Sequence, residues 1–178
     1  GWGGGIMPRE VRQHRGVAAR YIDRPMLTDG LKSDLRIYVL VTSVRPLCVY
    51  AYDEGLARFA TRPYSLDDLD ERCAHLTNYT LNKHSAAFDE GGGREDEGHK
   101  WSLGAFRRRL AAEIGEERAG GVWRAVDDLV VKTIVAAEPT LSDAMRELGG
   151  NPANFFQLMG FDVMLAADAK PWLPEVNV

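Results

Sequence analysis

The run Leu35-Arg36-Ile37-Tyr38-Val39-Leu40-Val41-Thr42-Ser43 is dominated by β-branched, aromatic and leucine side chains, and it constrains the fold more than any other segment. Such residues fit a pleated, half-buried strand, whereas β-branched side chains lose rotamer freedom in a helix. Arg45-Pro46 interrupts the pattern, since proline lacks a ladder donor, and Leu47 to Tyr52 resumes it. The two runs are expected to form a hairpin. Asp53-Glu54-Gly55 reads as a turn into a third strand over Leu56 to Ala60.

Such a sheet needs a cover, and the middle of the chain supplies helices. Pro63 to Asn82 reads as a short helix followed by an ordered loop. Asp89 to His99, with Gly91-Gly92-Gly93 and five acids, reads as a flexible surface loop. Ser102 is placed to cap a helix running to about Glu117, and Gly120-Gly121 is expected to separate it from the next. There Trp123, Val126, Val130, Ile134 and Ala137 recur at spacings of three and four, one apolar stripe that should end before Pro139. A weaker helix is expected over Leu141 to Leu148. The tail returns to β: Phe156 to Ala166, a turn at Asp168-Ala169, then Lys170 to Val178. Strands, helices, then strands predict an α+β fold, a mostly antiparallel sheet with helices packed on one face.

Charge and composition exclude several function classes. With 26 Asp+Glu against 22 Lys+Arg the net charge is −4, without the basic excess of a general nucleic-acid binder. The best apolar run, Ile37 to Val41, is far short of the ~20 residues that span a bilayer. No apolar signal region lies within Gly1 to Arg15, and the cysteines, Cys48 and Cys73, are too few for a disulfide scaffold. The expectation is a soluble, intracellular domain. The chain opens without methionine and stops inside an apparent strand, so it is expected to be part of a longer protein.

The strongest chemistry lies in the last hairpin. A turn centred between Asp168 and Ala169 gives cross-strand partners whose numbers sum to 337, which sets Asp162 opposite Glu175. Asn177 follows two residues later, on the same face by the strand period. Two carboxylates at ~4.5–5.5 Å cross-strand spacing repel unless a cation sits between them, and Mg²⁺ is the hard ion that takes a few carboxylates and keeps its waters. The plain alternative is a pair of acids decorating a solvent face. Lys32, Asp34 and Arg36 alternate with Leu31, Ser33 and Leu35, which puts the three charges on one face. A cationic pair ordered by an aspartate can hold phosphates or a carboxylate, and a solvated strand start with a local ion pair is the competing reading. Arg58 either faces the same cleft or sits on an edge strand. His75-Leu76-Thr77-Asn78-Tyr79 and Asn82-Lys83-His84 read as an ordered loop lining a site or as a set of caps and turns. No spacing suggests zinc, a serine-hydrolase elbow or a P-loop.

Five blocks occur together and in order: Asp29 to Ser43, Asp53 to Thr61, His75 to Tyr79, Gly160 to Leu165 and Lys170 to Asn177. Together they resemble the tubulin tyrosine ligase-like family of ATP-grasp ligases, from about Tyr21 to Val178. Arg58-Phe59-Ala60-Thr61 and Asn82-Lys83-His84-Ser85 are most similar to its glutamate-adding branch. On that resemblance residues 21–178 are the C-terminal part of an ATP-grasp-like domain, and residues 1–20 are a divergent glycine-rich and basic segment.

The resemblance implies an ATP-dependent ligase that joins free glutamate to glutamate side chains of tubulin tails through an acyl phosphate, with ATP and Mg²⁺ as cofactors. It implies Asp162, Glu175 and Asn177 as metal ligands. Lys32, Arg36 and Arg58 would serve as catalytic cations, and Lys32 and Asp34 with Thr77 and Asn78 would contact the nucleotide. Arg20-Tyr21-Ile22 would form the hinge that holds the adenine. It also implies microtubules as partner and a cytoplasmic, cytoskeletal setting that includes the cilium. Alternatives are a glycine or tyrosine ligase, or a non-catalytic microtubule-binding relative using Arg107-Arg108-Arg109. Ser33, Pro174 and Arg20 depart from the usual residues, and Pro174 is expected where its missing N–H has no partner.

Overall fold

Leu35, Ile37, Val39 and Val41, every second residue of the first strand run, are all buried, as a strand covered on one face requires. The computed structural model describes residues 19–149 and 155–178. Of the divergent glycine-rich and basic segment expected over residues 1–20, residues 1–18 lie outside these. A two-residue strand, β1 (Leu27–Thr28), precedes the long β2 (Leu31–Val44), which returns through Arg45-Pro46 into β3 (Leu47–Phe59).

The expected turn at Asp53-Glu54-Gly55 is instead part of β3. Ile37 pairs with Gly55 while Val39 pairs with Ala51, so four steps of β3 oppose two of β2. This is a bulge, and the supposed third strand is the continuation of β3. A Cβ on Gly55 would overlap the Arg36 carbonyl oxygen, which explains a glycine where a turn was expected.

Two single-turn helices follow, α1 (Arg72–His75) and α2 (Tyr79–Asn82), then a short edge strand, β4 (Lys100–Ser102), which the sequence reading missed along with β1. Helix α3 (Leu103–Ile114) begins as expected: the Ala105 N–H donates to Ser102 Oγ at 3.0 Å. It ends earlier than expected, at Gly115, whose φ of 86° no L side chain adopts readily. Helix α4 (Glu116–Leu148) then runs through Gly120-Gly121 and through Pro139, so the expected break, the expected stop and the separate weaker helix are all corrected. The reason is packing. Ala119, Val122, Val126, Val130 and Ile134 are buried against the sheet. Each buried aliphatic returns ~1.5–3 kcal/mol, against ~1 kcal/mol lost per helical glycine. Trp123 and Ala137 of the expected stripe are half-buried.

The chain closes with β5 (Gln157–Leu165) and β6 (Pro171–Asn177), as expected. The sheet order is β4-β3-β2-β5-β6, antiparallel throughout, with β1 beside β2. Helices α3 and α4 cover one face through Leu103, Phe106 and Leu110 and the α4 stripe. The α+β architecture with helices on one face is therefore the observed one, consistent with part of an ATP-grasp-like domain. Among the described residues no helix is long and apolar enough to cross a membrane, and Cys48 and Cys73 are free thiols.

Candidate active site

The uncovered face of the sheet carries the even-numbered side chains of β2 from Lys32 to Leu40, and there the charges expected from the sequence meet partners from both neighbouring strands. Arg58 on β3 is the cross-strand partner of Asp34, and Asp162 on β5 is the partner of Arg36. Arg36 donates through Nε to Asp162 Oδ1 at 2.6 Å and through Nη2 to Oδ2 at 3.2 Å. Arg58 donates through Nε to Asp34 Oδ1 at 2.8 Å and through Nη2 to Asp34 Oδ2. The same Nη2 lies 3.0 Å from Asp162 Oδ2. The order Asp34, Arg58, Asp162, Arg36 thus alternates in sign across three strands, in the paired geometry that favours arginine over lysine.

Burial sharpens these interactions. Burial alone would push the Asp162 carboxyl up, but the Arg36 hydrogen bond and the charge of Arg58 hold it below the ordinary carboxylate range. Burial likewise works against the Arg58 charge, and Asp34 with Asp162 more than offsets it, so the guanidinium stays protonated.

The final hairpin has the expected register. Asp162 pairs with Glu175 and Gly160 with Asn177, both on the predicted sum. Asn177 Nδ2 lies 3.4 Å from Asp162 Oδ2. Between Glu175 and Trp172 the register shifts by one residue, and Pro174 falls in that irregularity of an edge strand, where a missing N–H costs no ladder bond. Glu175 is exposed and has no ion-pair partner among the described residues. Two carboxylates and an amide oxygen on one face are a donor set that suits a hard divalent cation. Among the described residues no three His, Cys, Asp or Glu side chains converge, so water or ligand oxygens would complete the shell.

Lys32 shares the face but turns its ammonium elsewhere, donating to the His75 carbonyl at 2.7 Å and to Tyr21 Oη at 3.2 Å. Burial lowers its pKa, and Asp34 opposes the shift. Tyr21 Oη also meets His75 Nδ1 at 2.8 Å, and burial followed by Tyr64 pushes its phenol up. Arg20, Tyr21 and Ile22 line a cavity of about 510 Å³ with Lys170 and Trp172 at the end of the last hairpin. Strand β2 is thereby tied to the expected hinge segment through a lysine, a tyrosine and a histidine. His75, both of whose ring nitrogens are engaged, is a satisfied structural residue.

Thr77 is buried and borders a second cavity of about 200 Å³ with Arg36, Arg58, Phe88, His99 and Lys100. Asn78 is exposed, and its carbonyl is held by Asn82. Asn82 is the residue the sequence reading undervalued. It is 1% exposed, accepts from the Thr61 amide and hydroxyl at 3.2 and 2.9 Å, and donates to the Leu76 and Asn78 carbonyls at 2.8 and 3.1 Å. It therefore fixes the Leu76–Asn78 segment to the exit of β3. Lys100 was also missed, because its three-residue strand is hidden behind an acidic, glycine-rich loop. The arginine run is engaged locally: Arg107 stacks 4.3 Å over Trp123, Arg108 pairs with Glu95, and Arg109 pairs with Glu113 and Asp29.

The sheet wall thus sets half-buried arginines and buried carboxylates in alternation, with Glu175 and Asn177 beside them, an arrangement whose chemistry suits polyanions and a hard cation. The chain belongs to the tubulin-tyrosine ligase family, whose profile matches residues 6–178. It is 39% identical to human tubulin polyglutamylase TTLL13 over 180 residues, covering 96% of this chain and 21% of that protein. It is 42% identical to mouse tubulin polyglutamylase TTLL6, covering 90% of this chain and 20% of that protein. Human tubulin polyglutamylase TTLL5 is also 42% identical, over 91% of this chain and 13% of that protein. The chain thus spans about a fifth or less of the length of these relatives.

Proposed function

We propose that the chain is the C-terminal part, residues 21–178, of the catalytic domain of an ATP-dependent ligase that adds glutamate to glutamate side chains of tubulin C-terminal tails. The observation that carries the reading is the register of the last hairpin. It sets Asp162 opposite Glu175, beside Asn177, on the face where Arg36 and Arg58 lie. The relatives' names support tubulin and glutamate as substrates.

Bound Mg²⁺ would draw electrons from phosphate oxygens and neutralise their charge. Asp162, Glu175 and Asn177 would hold it. Arg36 and Arg58 present their guanidinium groups to transferring phosphate or acceptor carboxylate from fixed positions, so little reorganisation is needed as charge shifts. Lys32, pinned by His75 and Tyr21, and Asp34, pinned by Arg58, order the strand between hinge and phosphates. Arg20-Tyr21-Ile22 and the cavity beside them would take the adenine. Thr77 and Asn78 would border the nucleotide, and microtubules in the cytoplasm or cilium would be the working location.

The test incubates the full-length protein with microtubules, Mg·ATP and labelled glutamate, glycine or tyrosine in parallel, with Glu175→Gln as control. Glutamate incorporation lost in the variant is the expected result. Incorporation of glycine or tyrosine alone refutes the choice of amino acid, and none at all refutes the ligase reading.

A further inference from the structure

A glycine in the middle of a buried strand weakens it, so its presence asks for a group that comes too close to allow a side chain. Gly160 lies in β5 between Tyr38 of β2 and Asn177 of β6. A Cβ built there would stand 3.0 Å from Arg36 Cδ, 3.2 Å from its Nε and 3.3 Å from its Nη1. All three near atoms belong to that one arginine. Arg36 therefore lies across β5 directly over the bare Cα, with the next residue on the same face, Asp162, receiving its Nε–H at 2.6 Å. The bond leaves little slack. An atom displaced by a few tenths of an ångström must lengthen or bend it, and hydrogen bonds weaken steeply with angle.

We propose that Gly160 is a positioning residue: its empty Cβ site is the seat that holds Arg36 flat and aims its guanidinium edge at Asp162. Two nitrogens of Arg36 are committed to Asp162, and Nη1, which makes no hydrogen bond to a described residue, lies over the Gly160 seat in a side chain that lines the cavity beside Arg58. A methyl group at 160 lifts the guanidinium from the sheet and turns that nitrogen away. The consequence for catalysis rests on the ligase reading above. The seat itself does not.

The test uses Gly160→Ala in the chain. In ¹⁵N spectra the Arg36 Nε–Hε signal, assigned by its loss in Arg36→Lys, is expected to shift and to exchange with water about tenfold faster. An unchanged signal in the folded variant overturns the seat. Unfolding gives a second readout, in a cycle with Arg36→Ala. Gly160→Ala is expected to lower the midpoint when Arg36 is present and to leave it unchanged or raised when Arg36 is absent, because the three heavy atoms nearest the added Cβ all belong to Arg36. An equal loss in both backgrounds overturns the proposal. If Gly160→Ala does not fold while Arg36→Ala does, the proposal is overturned, because displacing Arg36 should cost no more than removing it. In the full-length protein the substitution is expected to reduce kcat about tenfold, since small misplacements near the reacting groups are costly. An unchanged kcat removes the role in catalysis. No ligation by the unsubstituted protein removes the ligase reading instead, and the spectra and the unfolding cycle still decide the seat.

Discussion

Arg36→Met is the sharpest test of the charge ladder. The side chain of Asp162 is 8% exposed and receives two hydrogen bonds from Arg36. Breaking a buried pair by removing one partner costs ~3–5 kcal/mol. Arg58 still stands 3.0 Å from the same carboxylate, so the lower end, about 3 kcal/mol, is expected here. For a chain of this size that is a fall in Tm of roughly 6–12 °C. Removing the guanidinium also removes the hydrogen bond that holds the Asp162 carboxyl down, so its pKa moves upward in the variant. In the native protein its folded pKa is depressed, so the stabilisation is fully present above the unfolded value of ~3.9 and is lost as pH falls through the folded value. The deficit of the variant should therefore be largest at neutral pH and shrink as a proton replaces the guanidinium, as pH falls toward and below the unfolded value of ~3.9. Urea unfolding with EDTA at pH 7.5 and pH 4 measures it. Arg36→Met with Asp162→Leu, which removes both charges, should recover most of the loss. A deficit under ~1 kcal/mol at pH 7.5, or one that does not change with pH, would refute the claim that Arg36 neutralises Asp162.

Asn82→Asp keeps the shape but turns an oxygen toward the Leu76 and Asn78 carbonyls. Two lost hydrogen bonds and a buried charge should cost about 2–4 kcal/mol, and faster proteolysis near Leu76–Asn78 should accompany the drop in Tm. Pro139 leaves one α4 carbonyl without its helical donor, so Pro139→Ala should raise stability by about 1–3 kcal/mol, read as a higher urea midpoint.

What the sequence made legible is local and periodic. The hairpin Asp162–Glu175 needs only a turn position and a period of two, and its register was therefore readable. So were Lys32, Asp34 and Arg36 on one face, the Ser102 cap and the Val126-Val130-Ile134 stripe. The partners of those charges were not readable. Arg36 meets Asp162 across 126 positions, and nothing short-range tells that β5 lies beside β2 rather than at an edge. Gly55 and Gly120-Gly121 were misread for a related cause: a glycine marks tight backbone or simple tolerance equally well, and only tertiary packing decides which. The cavity beside Arg58 was hidden because Phe88, His99 and Lys100 come from a loop and an edge strand with no pattern of their own.

The ladder also edits the folding of the sheet that carries it. Sliding β5 by one residue along β2 would turn Asp162 into the apolar core and bring Phe161 out to water. A slip of two keeps the faces but has its own penalty. In one direction Asp162 would stand opposite Asp34, two carboxylates face to face, with Arg36 opposite the bare Gly160. In the other direction Arg36 would face Met164 and Asp162 would face Tyr38, leaving both charges without their opposite. Only the native alignment matches every sign. A β2–β5 contact joins segments more than a hundred residues apart and must be found among many near-equivalent apolar alignments, so the four charges act as a key cut for one lock position.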